Sequence, residues 1–394
     1  MITRLHIKNF KSLEDFWFPS EKGPPLAPLT VLVGLNGSGK STLLQALDFL
    51  GHLVSGSVTP WLESRDWKAA ELLTTFASNR SRTIQFSLTW NDKKHGDIVW
   101  WGRYNTVTRR CTHEVVSLGW EDPNLLVVSK QEFSATDGNR MPEYRHEPIP
   151  FEYEGSILSA LKLDKLHPAL KSLKDAMEQL KSLELLSPHL MRKRAKAADD
   201  VGLGGEKLSA FLSTFDKASI EGLSGRLQKF YPQIESLKIK SLRAGWKELR
   251  VKEQHGDTSE FGATQLNDGL LRVIGILSQA FTSHSVVLFD EIENGVNQQL
   301  VSQLMDFLLE ISAYRQIIVT THSPLILNFL PNDKARDGVI FLYKDRRGAT
   351  HAKRFFELKQ VDWKLNALGP GEVFVDTDLT VLSENLAKDE GGNA

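Results

Sequence analysis

Eight residues constrain this 394-residue chain more than any others: Gly34-Leu35-Asn36-Gly37-Ser38-Gly39-Lys40-Ser41. They fit G-x-x-x-x-G-K-[ST]. A short apolar run, 29–33, precedes them, and an apolar-faced helix over 42–53 follows, with Leu43, Leu44, Leu47 and Leu50 on one side. Strand, glycine loop and helix in that order make a phosphate cradle. Glycine lets the loop amides turn inward, and the helix start adds its positive dipole end. Asn36, Gly37, Ser38, Gly39, Lys40, Ser41 and Thr42 are therefore candidate nucleotide contacts. Lys40 supplies a cation to the β- and γ-phosphates, and Ser41 a hydroxyl to Mg²⁺.

Two later strands end in chemistry. Val286-Val287-Leu288-Phe289-Asp290-Glu291 is an apolar strand delivering two carboxylates at its carboxyl end, where an open α/β sheet places its ligands. Asp290 would hold Mg²⁺ through its water shell, and Glu291 would polarise an attacking water. The plainer reading is a helix cap, since acids favour helix N-termini. Gln316 to Pro324 (QIIVTTHSP) is the second such strand; His322 would donate to the γ-phosphate or the water, or simply sit on the surface. Upstream, Gln265-Leu266-Asn267-Asp268-Gly269-Leu270-Leu271-Arg272 opens an apolar helix. Asn267 or Asp268 would cap it; alternatively Gly269 makes this helix start approachable by a phosphate. Local physics leaves both open.

The rest of the chain sorts by period. Residues 1–9 read as an edge or half-buried strand and 19–28 as a turn-rich connector. Over 81–130, strict alternation (Ile84, Phe86, Leu88, Trp90) broken by polar turns predicts an antiparallel meander. From Ile157 the period changes. Leu166, Leu170, Leu173, Met177 and Leu180 step by fours and threes, predicting a short helical arm closed by Pro188 and Gly202, Gly204 and Gly205. The expected division is 1–156 for the first part of a nucleotide-binding head and 157–205 for the arm. The head then resumes over 206–375, with a strand pair near 234–252, and 376–394 is a polar tail expected to fray.

Composition narrows the function. Lys plus Arg number 48 and Asp plus Glu 49, so the chain lacks the basic excess of proteins that coat nucleic acid or anionic membrane. Arg192, Lys193, Arg194 and Lys196, with Lys238, Lys240, Arg250 and Lys252, form either a phosphate-matching patch or a solvated face. Cys111 is the one cysteine, which excludes an internal disulfide and a cysteine-built zinc site. No apolar run approaches about 18 residues, and the start has no signal-like core, so a cytoplasmic protein with no membrane partner is expected.

The blocks IKNFKSLEDF, VLVGLNGSGKST, QLNDGLLRVIGIL, VVLFDEIENGV and IIVTTHSP, in that order, resemble the ABC-type ATPases of the RecF/SMC/OLD-like group. That resemblance implies an α/β fold: a P-loop NTPase head of ABC type with an antiparallel β lobe and the inserted arm. It implies that Asn267-Asp268-Gly269 is the signature loop, Asp290-Glu291 the Walker B pair, 294–297 the D-loop region and His322 the switch histidine. ATP and Mg²⁺ are the implied cofactors, and the implied partner is a second copy, two heads sandwiching two ATP molecules, with higher assembly left open. Three features depart from the pattern. The signature reads NDG, not the SDG more usual in the group; the Asn267 amide can still donate to phosphate. Gln131 is one position for a Q-loop, which the sequence does not fix. About seventy residues follow His322, so an OLD-type nuclease centre is not expected within this chain. The expected role is an ATP-hydrolysing switch controlling a separate effector, a nuclease or toxin, in bacterial antiviral defence. The alternative is a RecF-like repair ATPase that binds duplex DNA itself; a transporter subunit fits least.

Overall fold

The computed structural model describes residues 1–76, 81–120, 123–136, 147–184 and 187–391. Its centre is a six-stranded sheet in the order Leu180–Leu183, Val286–Phe289, Gln316–Thr320, Leu29–Val33, Val339–Lys344, Thr350–Arg354. The first five strands run parallel and the last antiparallel. Strands Leu29–Val33, Val286–Phe289 and Gln316–Thr320 are buried throughout, because both faces of the sheet are covered. Alternate side chains feed two different cores. Val31, Val33, Val287, Phe289, Ile317 and Val319 face one, with helices Asp268–Leu277 and Val301–Ser312. Leu32, Val286, Leu288 and Ile318 face the other, with helix Lys40–Ser55 and the antiparallel lobe.

That lobe is an eight-stranded sheet. The expected meander forms it, through Thr83–Asp92, Gly96–Asn105, Arg110–Leu118 and Asn124–Ser129. Strand Ile2–Phe10 is half-buried, as its pattern suggests, but it is no edge: Leu13–Phe18 pairs on one side and Thr83–Asp92 on the other. The expected strand pair near 234–252 gains a third strand, Asp257–Gly262, whose polar sequence gave no signal.

Segment 157–205 departs from the helical arm that its periodicity predicts. The apolar stripe does make a helix, Pro168–Glu178, but Ala169, Leu170, Leu173 and Met177 are buried in the head's own core. A side chain at Gly51 of helix Lys40–Ser55 would come within 3.0 Å of the Met177 carbonyl oxygen, so the two helices touch backbone to backbone. Leu180 then leaves the helix and opens the edge strand of the central sheet, paired with Val286. Met191 and Val201 enter the opposite core. Leu-Lys-Ser-Leu fits a four-residue strand as well as a helical turn, and pairing along the open side of Val286–Phe289 decides between them. The tail also differs from its expectation. Leu379–Gly391 is a helix whose Leu382 and Leu386 are buried. Glu390 anchors its far end, accepting from Tyr343 Oη and pairing with Lys353, each at 2.9 Å. Residues 392–394 of the expected tail lie outside the described residues.

Candidate functional site

The glycine loop leaves Leu29–Val33 at the carboxyl end of the sheet and runs into helix Lys40–Ser55. Two of its glycines are dictated by contact. A Cβ on Gly34, at φ 148°, would lie 2.2 Å from the Leu342 carbonyl oxygen, and one on Gly39, at φ 107°, 2.4 Å from Thr350 Oγ1. Gly37, at φ 74°, instead faces open space. Lys40 curls back over the loop and donates to the carbonyls of Gly34 at 2.9 Å and Leu35 at 3.1 Å. Its ammonium is buried, which pushes its pKa down, while Asp290, Glu291 and Glu293 oppose that shift. No carboxylate among the described residues forms an ion pair with it.

The acid pair is held from the neighbouring strand. Thr320, fully buried, donates from Oγ1 to Asp290 Oδ1 at 2.6 Å and accepts the Glu291 amide on the same oxygen at 2.7 Å. Its carbonyl accepts the Ile292 amide at 3.2 Å. Glu291 itself sits at φ 47°, a left-handed conformation that costs a non-glycine residue energy and is met at functional sites. Its carboxylate accepts from Asn294 Nδ2 at 3.3 Å.

One cavity of about 690 Å³ collects these groups. Asn36, Gly37, Gly39, Lys40, Ser41 and Thr42 line it, with Asp290, Glu291 and His322. Ser38 is buried within the loop instead, its Oγ without a hydrogen-bond partner. Asn267, Asp268 and Gly269 do not line this cavity. Asn267 caps helix Asp268–Leu277 by accepting the Leu270 amide at 2.8 Å, and exposed Asp268 pairs with Arg192. Gly269 packs against the Gly295 carbonyl. Gln131 lies away from the cavity, beside Glu132 and Pro148.

Sequence reading missed Lys11 and Lys344, both of which line the cavity. Lys11, at φ 47°, follows the left-handed Asn9 in a tight turn. Its Nζ sits 3.3 Å from the Trp67 ring centroid and donates to Gln45 at 2.8 Å. Burial, then the Arg65 charge, lowers its pKa to about 8. The signal was the IKNFKS block, read only as part of a resemblance. Thr320 was likewise read as part of an apolar strand.

The residues present fit a magnesium nucleotide. The loop offers a buried cation with no carboxylate partner, an unpartnered hydroxyl and amides on left-handed glycines, all suited to phosphate. Ser41 and Asp290 bring oxygen donors only, the set Mg²⁺ takes. Ser41 and Asp290 would hold the ion, which would supply positive charge against the phosphates.

A phosphate cradle on a mainly parallel sheet, flanked by an antiparallel lobe and faced by an acid pair, defines a P-loop nucleotide-binding head of ABC type. The comparisons agree. Residues 1–91 match a family described as "AAA ATPase domain", and residues 148–328 one described as "AAA domain, putative AbiEii toxin, Type IV TA system". An OLD nuclease of Thermus scotoductus is 48% identical over 64 residues, 16% of this chain and 10% of that protein. RecF of Salmonella paratyphi A, a DNA replication and repair protein, is 25% identical over 249 residues, 62% of each chain. The chain thus spans a tenth of the one relative and under two thirds of the other. The fold is that of an SMC head solved with the C-winged helix domain of ScpA, with a TM-score of 0.56 at 17% identity, covering 89% of this chain and 96% of that one. In its motifs and its fold the chain is similar to the RecF/SMC/OLD-like group of ABC-type ATPases.

Proposed function

We propose that the protein is an ATP-driven switch that binds and hydrolyses ATP with Mg²⁺, pairs head to head with a second copy, and so controls a separate effector. The observation that carries this reading is the division of the motifs. The phosphate loop, Asp290, Glu291 and His322 share one cavity, whereas 267–269 lie outside its lining with Asn267 and Asp268 exposed. A signature loop absent from its own cavity suits a site completed by a second copy. Within the site, Lys40 exchanges loop carbonyls for phosphate oxygens. Glu291 takes the proton of the attacking water, and His322 donates a hydrogen bond where charge builds on the γ-phosphate. The test is Glu291→Gln. It keeps shape and loses the base, so ATP should bind, turnover should stop and light scattering should report a lasting dimer. A variant that stays monomeric at saturating ATP, or turns over at the wild-type rate, would defeat the reading.

An effector that is a nuclease or toxin, acting in cytoplasmic antiviral defence, is supported by the AbiEii toxin in the family description and by the OLD nuclease match. No helix among the described residues is long and apolar enough to cross a membrane. Direct duplex binding has an observation of its own: Lys238, Lys240, Arg250 and Lys252 share the outer face of the three-stranded sheet. That face is half neutralised. Arg250 pairs with Glu248 and Glu260, Lys252 with Glu235, and Arg194 with Glu248. Such pairing favours the effector reading. A DNA mobility shift that weakens steeply between about 50 and 200 mM salt would reverse the order.

A further inference from the structure

Arg272 lies one turn inside helix Asp268–Leu277 and is only 2% exposed. A buried guanidinium is ordinarily matched by an anion, because its desolvation is costly. Here one Nη donates to the main-chain carbonyl of Glu291 at 3.2 Å, and the buried Nε has no partner. No carboxylate among the described residues pairs with it. Burial lowers its pKa, and the more distant charges of Glu291, Glu293 and Asp268 oppose that shift. An arginine placed this way contributes little as a salt bridge. What it does have is a hold on one carbonyl.

Packing joins the same two elements. Gly295, four residues beyond Glu291, is at φ 68°, and a Cβ there would sit 3.2 Å from Arg272 Cδ. A Cβ on Gly269 would lie 2.7 Å from the Gly295 carbonyl oxygen. The helix start and the loop after the acid pair therefore touch through two glycines and the arginine stem, and neither can shift alone. Glu291, with its left-handed backbone, lies inside this packed unit. Beyond it Glu293 accepts the His322 amide on Oε1 at 2.7 Å, while its buried Oε2 is unpartnered. One unfilled donor and one unfilled acceptor thus flank Glu291, and a rearranged loop could fill both.

We propose that Arg272 is a positioning residue: it clamps the Glu291 carbonyl, and so makes the aim of that carboxylate depend on where loop 267–269 sits. A phosphate contact that shifts the helix start would be felt at Glu291 through Arg272 and at His322 through Glu293. The proposal rests on the reading that Glu291 activates water.

Arg272→Met keeps the length of the stem and removes the clamp; Arg272→Lys keeps a donor without the planar fork. For the methionine variant, turnover should fall by roughly 10²-fold, the scale of a misplaced reacting group. Affinity for a fluorescent ATP analogue should stay within about twofold, and the lysine variant should recover part of the loss. Melting should not fall, since an unpaired buried cation has been replaced by an apolar side chain. A turnover loss matched by equal losses of affinity and melting temperature would make Arg272 merely structural. Hydrogen–deuterium exchange of the nucleotide-free protein supplies a reading independent of catalysis. Amides 291–296 should exchange faster in Arg272→Met, and unchanged exchange would overturn the clamp. If instead exchange responds but the wild type never hydrolyses ATP, the clamp stands and the proposed function falls.

Discussion

Replacing Thr320 by valine removes one hydroxyl from a fully buried position and changes the shape of the side chain very little. That hydroxyl makes two bonds, to the Asp290 carboxylate at 2.6 Å and from the Glu291 amide at 2.7 Å. A hydrogen bond to a charged group contributes about 1.5–3 kcal/mol and a neutral one about 1. The buried methyl returns roughly 0.8 kcal/mol, leaving a net loss near 2–3 kcal/mol. Expressed wholly at the transition state, that loss is about 30- to 150-fold in rate. Both bonds already exist before any reaction, so part of the loss falls on the resting fold, and a 10- to 100-fold drop in kcat is expected (roughly, on the same scale). Thr320→Ser keeps the oxygen and should stay within about threefold of wild type. The assay is steady-state phosphate release at saturating ATP and Mg²⁺, beside a thermal melt of each variant. If Thr320→Val turns over at the wild-type rate while Glu291→Gln is inactive, the strand-to-strand support of the acid pair is irrelevant to catalysis and the argument is wrong.

Lysine at position 11 adds a pH dependence. Its pKa is lowered to about 8, so it is charged below that value and neutral above it. ATP affinity should therefore decline as pH rises through about 8 and beyond, and Lys11→Arg should flatten the profile in a fluorescence titration. Lys40→Ala should weaken nucleotide binding and turnover together. His322→Ala should spare binding and cut turnover by about 10²-fold, as for one transition-state donor; equal losses of affinity in the two variants would make His322 structural.

The parts of the site that the sequence reveals are those whose chemistry is local. Gly34 to Ser41 must be glycine-rich because Gly34 and Gly39 have no room for a Cβ, and the strand and helix around them carry their own period. Asp290 and His322 can be read because a buried strand has few reasons to end in polar residues. Thr320 could not be read that way. In QIIVT a threonine is an ordinary strand residue, and its role appears only when Val286–Phe289 pairs beside it and puts Asp290 within reach. Lys11 reaches the cavity only through the tight turn that follows the first strand. The mistaken arm has the same cause. Leu170, Leu173 and Met177 show a helix's period but not what covers it, and the cover turned out to be helix Lys40–Ser55, more than a hundred residues earlier. Tertiary pairing also orders the tail, through Glu390 with Tyr343 and Lys353.

The two readings left open for 267–269, cap or phosphate contact, need not compete. Asn267 caps the helix with its side-chain oxygen, which leaves its amide nitrogen free to donate elsewhere. Gly269 is a poor probe of that second role. Any side chain there would strike the Gly295 carbonyl of its own chain and damage the head directly. Asn267→Asp is a better one. Aspartate caps a helix as well as asparagine, so the fold should melt unchanged, but the free donor becomes an anion facing phosphate. The variant should bind ATP normally and hydrolyse it poorly. Lys40→Ala ruins the other half of a site. If each site is built from two copies, mixing the variants one to one with free exchange makes half the dimers mixed, each with one doubly broken and one intact site. Independent sites would then restore about a quarter of wild-type turnover, and coupled sites less. If the loop served its own chain's ATP, every site in every dimer would carry a lesion. Mixing would then restore nothing, and the head-to-head mechanism would have to be abandoned.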